Sequence, residues 1–158
     1  MTQKDNSLQL PNNRGFTLIE ILLVLGIVTT LSVIFIVAIN PAKESARSRN
    51  NQRELGVRII LDAVYKNKLD NRGDFDCSAG SIPTASSSNM ATSTYNIAPC
   101  LIPDYLNNLP NDPDDSAAYY SSTTDYNTGY YIIKNAITGR ITISAPSAEL
   151  GKEISVTR

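Results

Sequence analysis

One charged residue stands inside a long uncharged segment near the start of this chain. Residues 16–39 are 24 consecutive residues whose only charged side chain is Glu20. As an α-helix this segment would rise about 36 Å, which is enough to cross a bilayer with some tilt. A carboxylate in hydrocarbon costs on the order of 3 kcal/mol on insertion scales, so a membrane helix that keeps one is expected to use it. The segment therefore predicts a membrane helix in which Glu20 has a cationic partner.

A candidate for that cation appears if the chain is cleaved between Gly15 and Phe16. The new amino group on Phe16 would be a positive charge about one helical turn from Glu20. Within one chain the two groups lie at different heights along the helix axis and pair poorly. A neighbouring chain displaced by about one turn would bring them level, so the pattern favours pairing between subunits.

The residues around this junction resemble a known family. The chain reads RGFTLIE at positions 14–20, followed by ILLVLGIV, and this is similar to the leader junction and hydrophobic spine of bacterial type IV pilins and type II secretion pseudopilins. The resemblance implies that a membrane-embedded aspartyl peptidase cleaves after Gly15 and methylates the amino group of Phe16. It also implies that an ATPase-driven machine stacks the subunits into a filament, with Glu20 as the carboxylate that sets their register.

The resemblance and the composition together predict four segments. These are a leader peptide (1–15), a transmembrane spine helix (16–39), an amphipathic continuation of that helix (40–70) and an extracytoplasmic loop and β-sheet domain (71–158). The expected fold class is α+β and pilin-like, with a long N-terminal membrane-spanning spine helix packed on a small antiparallel β-sheet. Because the apolar segment follows the cleavage point, processing would leave the anchor on the mature protein.

The basic residues that flank the span predict the opposite membrane orientation from the one that the leader motif implies. Two basic residues, Lys4 and Arg14, precede the span, whereas five follow it: Lys43, Arg47, Arg49, Arg53 and Arg58. By the positive-inside rule alone the C-terminal side would be cytoplasmic. The motif implies the opposite orientation, which we follow. It gives a single-pass protein of the inner (cytoplasmic) membrane with its C-terminal domain extracytoplasmic, in a cell-surface or periplasmic filament after assembly.

A second helix is predicted over residues 42–69. Pro41 cannot donate a backbone hydrogen bond to Val37, so a kink or local loosening is expected where Asn40-Pro41 interrupts the apolar segment. One stripe on this helix should pack on a sheet; it consists of Val57, Ile60, Leu61, Val64 and Lys68, with Leu55 and Ile59 on its flank.

The two cysteines, Cys77 and Cys100, lie in the downstream domain. If that domain is exported, a disulfide between them is expected. Residues 77–103 carry no charged side chain, and nine of the seventeen residues at positions 78–94 are Ser or Thr. This composition predicts an irregular polar loop. An O-glycosylated, surface-exposed region is the alternative, since the loop contains no Asn-x-Ser/Thr acceptor.

A small β-sheet is predicted in the last third of the chain. The residues LPNDP at 109–113, with the Tyr-rich stretches after them, are similar to the soluble domain of major pseudopilins. Three strands are expected in an antiparallel meander, at about 117–121, 129–135 and 140–145, joined near 126–128 and 138–139. The tail, 148–158, is expected either to add a short last strand or to stay mobile. Five tyrosines between 119 and 131 are expected to pack across strands, with surface contact or adhesion as the alternative.

An acidic cluster precedes and follows the first predicted strand: Asp112, Asp114, Asp115 and Asp125. Calcium prefers such oxygen ligands, and some major pseudopilins hold calcium in this region. The spacing matches no EF-hand, however, and Asp before Pro is a common turn feature. A solvated turn is the favoured interpretation, calcium stays open, and no residue is assigned to a metal or cofactor.

Nothing in the sequence indicates catalysis. There is no histidine, no nucleophile elbow and no phosphate-binding glycine loop, and a net charge of −1 implies no nucleic-acid surface. We expect a structural subunit of a type IV pilus or pseudopilus. Its partners would be other copies of itself, the prepilin peptidase and N-methyltransferase, the pilus or secretion assembly machinery, and the membrane. The alternative is a signal-anchored extracytoplasmic binding or enzymatic domain, whose helix is only a tether and has no use for Glu20.

Overall fold

The computed structural model describes residues 15–158, and it describes the backbone but not the side chains of residues 37–39. The expected leader, residues 1–15, therefore lies outside the described residues except for Gly15. The chain divides into two compact units, and the boundary along the chain lies between Pro41 and Ala42.

Among the described residues of the first unit, helix α1 spans Leu18–Ile39. It begins after Thr17, which has an extended backbone (φ −82°, ψ 152°), and it ends at Asn40, which is left-handed (φ 47°). The hydroxyls of Thr29, Thr30 and Ser32 donate to backbone carbonyls three or four residues earlier. Such bonds satisfy the hydroxyl groups at little cost in an apolar helix.

The second helix, α2, spans Pro41–Asp70 and covers the predicted helix. Proline suits the first position of a helix, where its missing N–H has no partner to lose. The expected loosening at Asn40-Pro41 is thus a break between two helices, with Asn40 left-handed between them.

The buried face of α2 is longer and more polar than predicted. Four predicted members of the stripe are buried: Val57, Ile60, Leu61 and Val64. Leu55, however, is 60% exposed, so the apolar flank predicted there faces solvent. The buried face instead continues toward the start of α2 through Arg53, Asn50 and Ala46. Two of these three are polar, and an apolar pattern cannot reveal them.

The sheet has five antiparallel strands instead of three. They are β1 (Ser88–Ala91), β2 (Tyr119–Ser122), β3 (Asp125–Lys134), β4 (Ile141–Ala145) and β5 (Ile154–Thr157). The order is β1-β3-β4-β5, and β2 also pairs with β3. A short helix, α3 (Ala98–Leu101), lies between β1 and β2 in the chain. The fold class is α+β, as expected, and β5 forms from the C-terminal tail.

The turn predicted near 126–128 is wrong, because these residues lie inside β3. Tyr126, Thr128, Tyr130 and Ile132 are buried at alternate positions along that strand. The Asn-Thr-Gly sequence resembles a turn, but Gly129 serves a close approach. A Cβ at Gly129 would lie 3.1 Å from the Asp112 Cβ, and the backbone there has φ +72°. The predicted packing of tyrosines across strands is confirmed for Tyr126, whose ring centroid lies 6.2 Å from that of Tyr120 on the paired strand β2.

The irregular polar loop predicted at 77–103 is confirmed for residues 77–87 and 92–97, which lie outside helices and strands, but the segment is not only a loop. This segment contains β1 and α3, and it supplies six buried residues to the core: Ile82, Met90, Tyr95, Ile97, Ala98 and Leu101. These residues are scattered among serines and threonines without a period of 2 or 3.6, so no pattern marks them. The predicted disulfide between Cys77 and Cys100 is present.

Hydrogen bonds from Asn67 hold the two ends of the disulfide-closed segment against the end of α2. The Asn67 side chain donates to the Asp76 carbonyl at 3.0 Å and to the Cys100 carbonyl at 3.1 Å, and its oxygen accepts from the Asp76 amide at 2.9 Å. The buried Asn67 side chain thus forms hydrogen bonds with Asp76, which precedes Cys77, and with Cys100. The bridge and the hydrogen bonds fix the same part of the core.

Breaking the disulfide is expected to destabilise the second unit. The cysteines are 23 residues apart, and closing a loop of this size stabilises by about 3 kcal/mol in the chain-entropy account. In urea unfolding of fragment 42–158, Cys77→Ser should lower the midpoint, and reduced wild-type protein should unfold with the variant. Ser78→Ala is the neighbouring control and should unfold like the oxidised wild type. Equal midpoints for Cys77→Ser and oxidised wild type would contradict the prediction.

Candidate functional site

The candidate processing site is a short non-helical segment ahead of α1. Gly15, Phe16 and Thr17 lie outside the helix. Phe16 is 80% exposed, and a Cβ at Gly15 would meet no atom within 4 Å. A peptidase needs an accessible peptide bond outside regular structure, and the bond between Gly15 and Phe16 meets that need. A larger residue at position 15 would fit this chain, so failed cleavage of such a variant would report on the peptidase and not on folding.

Glu20 has a partner in its own chain that the sequence analysis missed. Thr17 and Glu20 form a capping box: the Glu20 amide donates to the Thr17 hydroxyl at 3.3 Å, and the Thr17 amide donates to Glu20 Oε2 at 3.4 Å. The expectation of a carboxylate with no structural role within one helix is therefore wrong. We had assumed that the helix begins at Phe16, whereas Thr17 caps a helix that begins at Leu18. The signal was available as Thr-x-x-Glu at positions 17–20.

The capping box does not remove the need for a cation. The Thr17 groups that donate to Glu20 Oε2 are neutral, so they do not balance the charge of the carboxylate. The cost of that charge in hydrocarbon therefore remains. The box would also survive processing, because Thr17 and Glu20 both lie after the Gly15–Phe16 bond. In the processed chain the amino group of Phe16 would lie just ahead of the helix.

The apolar surface of α1 is uncovered in the single chain. Large apolar side chains from Phe16 to Ile36 are 47–82% exposed. The segment Leu18–Ile36 has a mean hydropathy of 2.6 and is long and apolar enough to cross a membrane. A surface of this size needs lipid or other protein around it.

Comparison with known families covers this same region. Residues 10–38 match the family model described as the prokaryotic N-terminal methylation motif. The chain carries the prepilin-type signal of type IV pilins and pseudopilins. The match includes Gly15, Phe16 and Glu20 and ends within α1, so the comparison supports a pilin-like, processed and membrane-anchored protein through its N-terminal segment alone. No curated protein and no solved structure matches the chain.

The second unit contains a buried ion network. Arg53 and Asp112 have side chains 1% and 0% exposed, and two hydrogen bonds of 2.8 and 3.0 Å join them. Arg53 also donates to Glu149 at 2.8 Å and to Asn50 at 3.0 Å. Arg49 makes a second pair of bonds to Glu149. The network therefore ties α2 to the loop before β2 and to the loop after β4.

Arg53 supplies the positive charge for the acidic segment that raised the question of calcium. Asp112 accepts from Arg53 and also from the backbone amides of Asp114 and Asp115, at 3.0 and 3.1 Å. Asp125 instead accepts from the Tyr119 hydroxyl at 2.7 Å. Within residues 15–158 no three His, Cys, Asp or Glu side chains are grouped as metal ligands. The segment is a turn, as expected, but it is not fully solvated: Asp112 is buried and is held to α2 by the buried Arg53.

The network shifts the pKa values of its carboxyl groups. Hydrogen bonds from Arg49 and then from Arg53 lower the pKa of Glu149 to about 2. Burial alone would raise the pKa of Asp112, but the bonds from Arg53 and from two backbone amides bring it below its usual value. The hydrogen bond to Asp112 raises the pKa of Arg53, so the guanidinium stays charged.

Stability should therefore fall in acid. A carboxyl group whose pKa is lower in the folded state stabilises the fold above its unfolded pKa of about 4 and loses that contribution as pH falls toward the folded value. For Glu149 this window runs from about pH 4.5 to about pH 2. Urea midpoints of fragment 42–158 should be level above this window and fall within it. Glu149→Gln should reduce the slope, whereas an unchanged slope would contradict the assignment.

Proposed function

We propose that this protein is a structural subunit of a type IV pilus or pseudopilus. It is cleaved after Gly15, methylated on the amino group of Phe16, and polymerised through α1. The observation that carries the proposal is an acidic residue, Glu20, in the first turn of an exposed apolar helix and within a prepilin-type signal. In a filament, copies of α1 would cover one another's exposed apolar side chains, and Glu20 would have a partner on a neighbouring subunit.

The charge arrangement supports pairing between neighbouring subunits. Glu20 lies in the first turn of α1, and the new amino terminus would lie ahead of that turn in the same chain. A neighbour displaced along the axis by about one turn would bring its ammonium level with this carboxylate. The pair would then be enclosed by apolar side chains, where an ion pair is least weakened by water.

Before assembly, the same helix would anchor the protein in the cytoplasmic membrane in a single pass, with the second unit extracytoplasmic. The disulfide supports that orientation, since such bonds persist in oxidising compartments. The partners of this proposal are the prepilin peptidase and N-methyltransferase, the pilus or secretion assembly machinery, and other copies of the chain. A domain that α1 merely tethers would have no use for the carboxylate.

Cleavage at Gly15 is the direct test of the processing step. Co-expression with a prepilin peptidase should shorten the protein by residues 1–15, and Gly15→Leu should block this because only a small residue allows close approach to the scissile bond. Gly26→Ala, a change at the other glycine in this region, is the control and should be cleaved like the wild type. Full cleavage of Gly15→Leu, read as a mobility shift, would contradict the proposal.

A further inference from the structure

Two surface patches at opposite ends of α2 carry opposite charges around an apolar residue. The first, here the basic groove, has a volume of about 490 Å³. It is lined by Lys43, Arg47, Asn50, Asn51, Leu150 and Lys152. None of these described lining residues is acidic, and Leu150 is 54% exposed.

The second patch, here the acidic end, lies at the C-terminal end of α2. It consists of Phe75 with Asp70, Asp74, Asp76 and Asp104. Phe75 and the first three aspartates line a depression of about 350 Å³, which also contains Arg72. Asp76 and Asp104 line a second depression with Tyr105. Within the described part of the chain none of the four aspartates forms an ion pair. Burial, a hydrogen bond to Asp70 and the charges of Asp104 and Asp76 raise the pKa of Tyr105, in keeping with concentrated negative charge.

Leu150 is held in a conformation that its side chain does not favour. Its φ is +58°, in the left-handed region that residues with a Cβ rarely adopt. Leu150 is nevertheless 54% exposed in the single chain, and glycine at this position would avoid the strain. Backbone strain of this kind is a reason to look for a contact that uses the side chain.

We propose that the basic groove of one subunit receives the acidic end of a second copy of this chain, further along the filament. This inference rests on the proposed function. From Arg47 to Asp70, α2 rises about 35 Å, so the two patches of one chain do not meet. The contact is therefore head-to-tail, and a head-to-tail contact that does not close into a ring repeats as an open filament.

In this contact Leu150 and Phe75 form the apolar centre, and the charged side chains form the rim. Such an arrangement is usual in protein interfaces, where complementary charges fix the orientation. Arg47 pairs with Glu44, and Lys152 pairs with Glu54, in the single chain. Both pairs are exposed, and exposed pairs are weak enough to rearrange when a partner arrives.

Zero-length carbodiimide cross-linking of wild-type filaments tests the contact without any substitution. It should join Lys43 or Lys152 to one of the four aspartates of the acidic end, and these peptides should be absent from unassembled subunits in detergent. The internal control is Lys152 with Glu54, which should be joined in both samples because the two are paired within one chain. Filaments that yield the control peptide but none of the others would overturn the inference.

Charge exchange tests whether the contact contributes to assembly. Lys152→Glu and Asp74→Lys should each lower filament yield several-fold, and the two together should restore most of it. Asp62→Lys, an exposed carboxylate of α2 outside both patches, is the control for an equal change in net charge. If Lys152→Glu lowers the yield and Asp74→Lys does not rescue it, the groove binds something else, such as an anionic membrane surface, and the inference fails.

These results separate the inference from the function on which it rests. Wild-type filaments that depend on Glu20 but lack the cross-links and the rescue would overturn the contact and leave the proposed function standing. If the processed wild-type chain forms no filaments in a host with the assembly machinery, both fail together.

Discussion

Glu20→Ala is expected to abolish most filament assembly while leaving membrane insertion, cleavage and folding of the second unit intact. If the carboxylate pairs with the Phe16 ammonium of a neighbour, the substitution leaves that ammonium unpaired in an apolar core. Removing one partner of a desolvated pair costs about 3 to 5 kcal/mol, and the loss recurs at every subunit contact. Filament counts by electron microscopy, at matched levels of processed protein, measure the effect.

Glu20→Gln distinguishes this role from helix capping. Glutamine is accepted at the third helical position of a capping box and can replace the bond to the Thr17 amide, but it carries no charge. If Glu20 served only to cap α1, Glu20→Gln would assemble normally and Thr17→Ala would be as harmful as Glu20→Ala. We expect the reverse: Glu20→Gln should fail like Glu20→Ala, and Thr17→Ala should assemble far better than either.

Arg53→Met is expected to be the most destabilising single change in the buried network. It leaves the Asp112 carboxylate, whose side chain is fully buried, without its positive partner. The free energy of unfolding should fall by about 3 to 5 kcal/mol, as it does when one member of a buried pair is removed. Denaturant unfolding of fragment 42–158 measures it. Arg58→Met, which removes an exposed arginine of the same helix, is the control and should change stability by less than about 0.5 kcal/mol.

A second substitution shows whether the buried charge is the cause. Arg53→Met combined with Asp112→Asn removes the unpaired carboxylate but keeps an oxygen for the Asp114 and Asp115 amides. The double variant should recover much of the stability lost by Arg53→Met. A double variant less stable than Arg53→Met alone would mean that packing, and not charge, explains the loss.

The parts of the structure that sequence predicted well are those with a strong local signal. The apolar segment and the strand periodicity of Ile141 and Ile143 indicate α1 and β4, since each pattern has one structural solution. The two cysteines of a domain expected to be exported indicate the disulfide. The residues around Gly15 and Phe16 match the methylation-motif model, while processing at this bond stays a prediction.

The parts that sequence did not predict depend on contacts between distant residues. Arg53 occupies a core position that apolar patterning assigns to solvent, and its carboxylate partners, 59 and 96 residues later, offset the cost of burying its charge. Strand β1 has the composition of a loop and forms because β3 pairs with it. The capping box at Thr17 was visible in the sequence but was obscured by the assumption that the helix begins at the cleavage point.

The mass of the mature protein tests the central claim most directly. Protein extracted from the membrane or filament fraction of a host with the prepilin machinery should lack residues 1–15 and carry one methyl group on the amino terminus of Phe16. Fragmentation should place that methyl group on Phe16 and on no other residue. A mature protein that still begins at Met1, or that is cleaved elsewhere, would contradict the assignment of this chain as a processed pilin-like subunit.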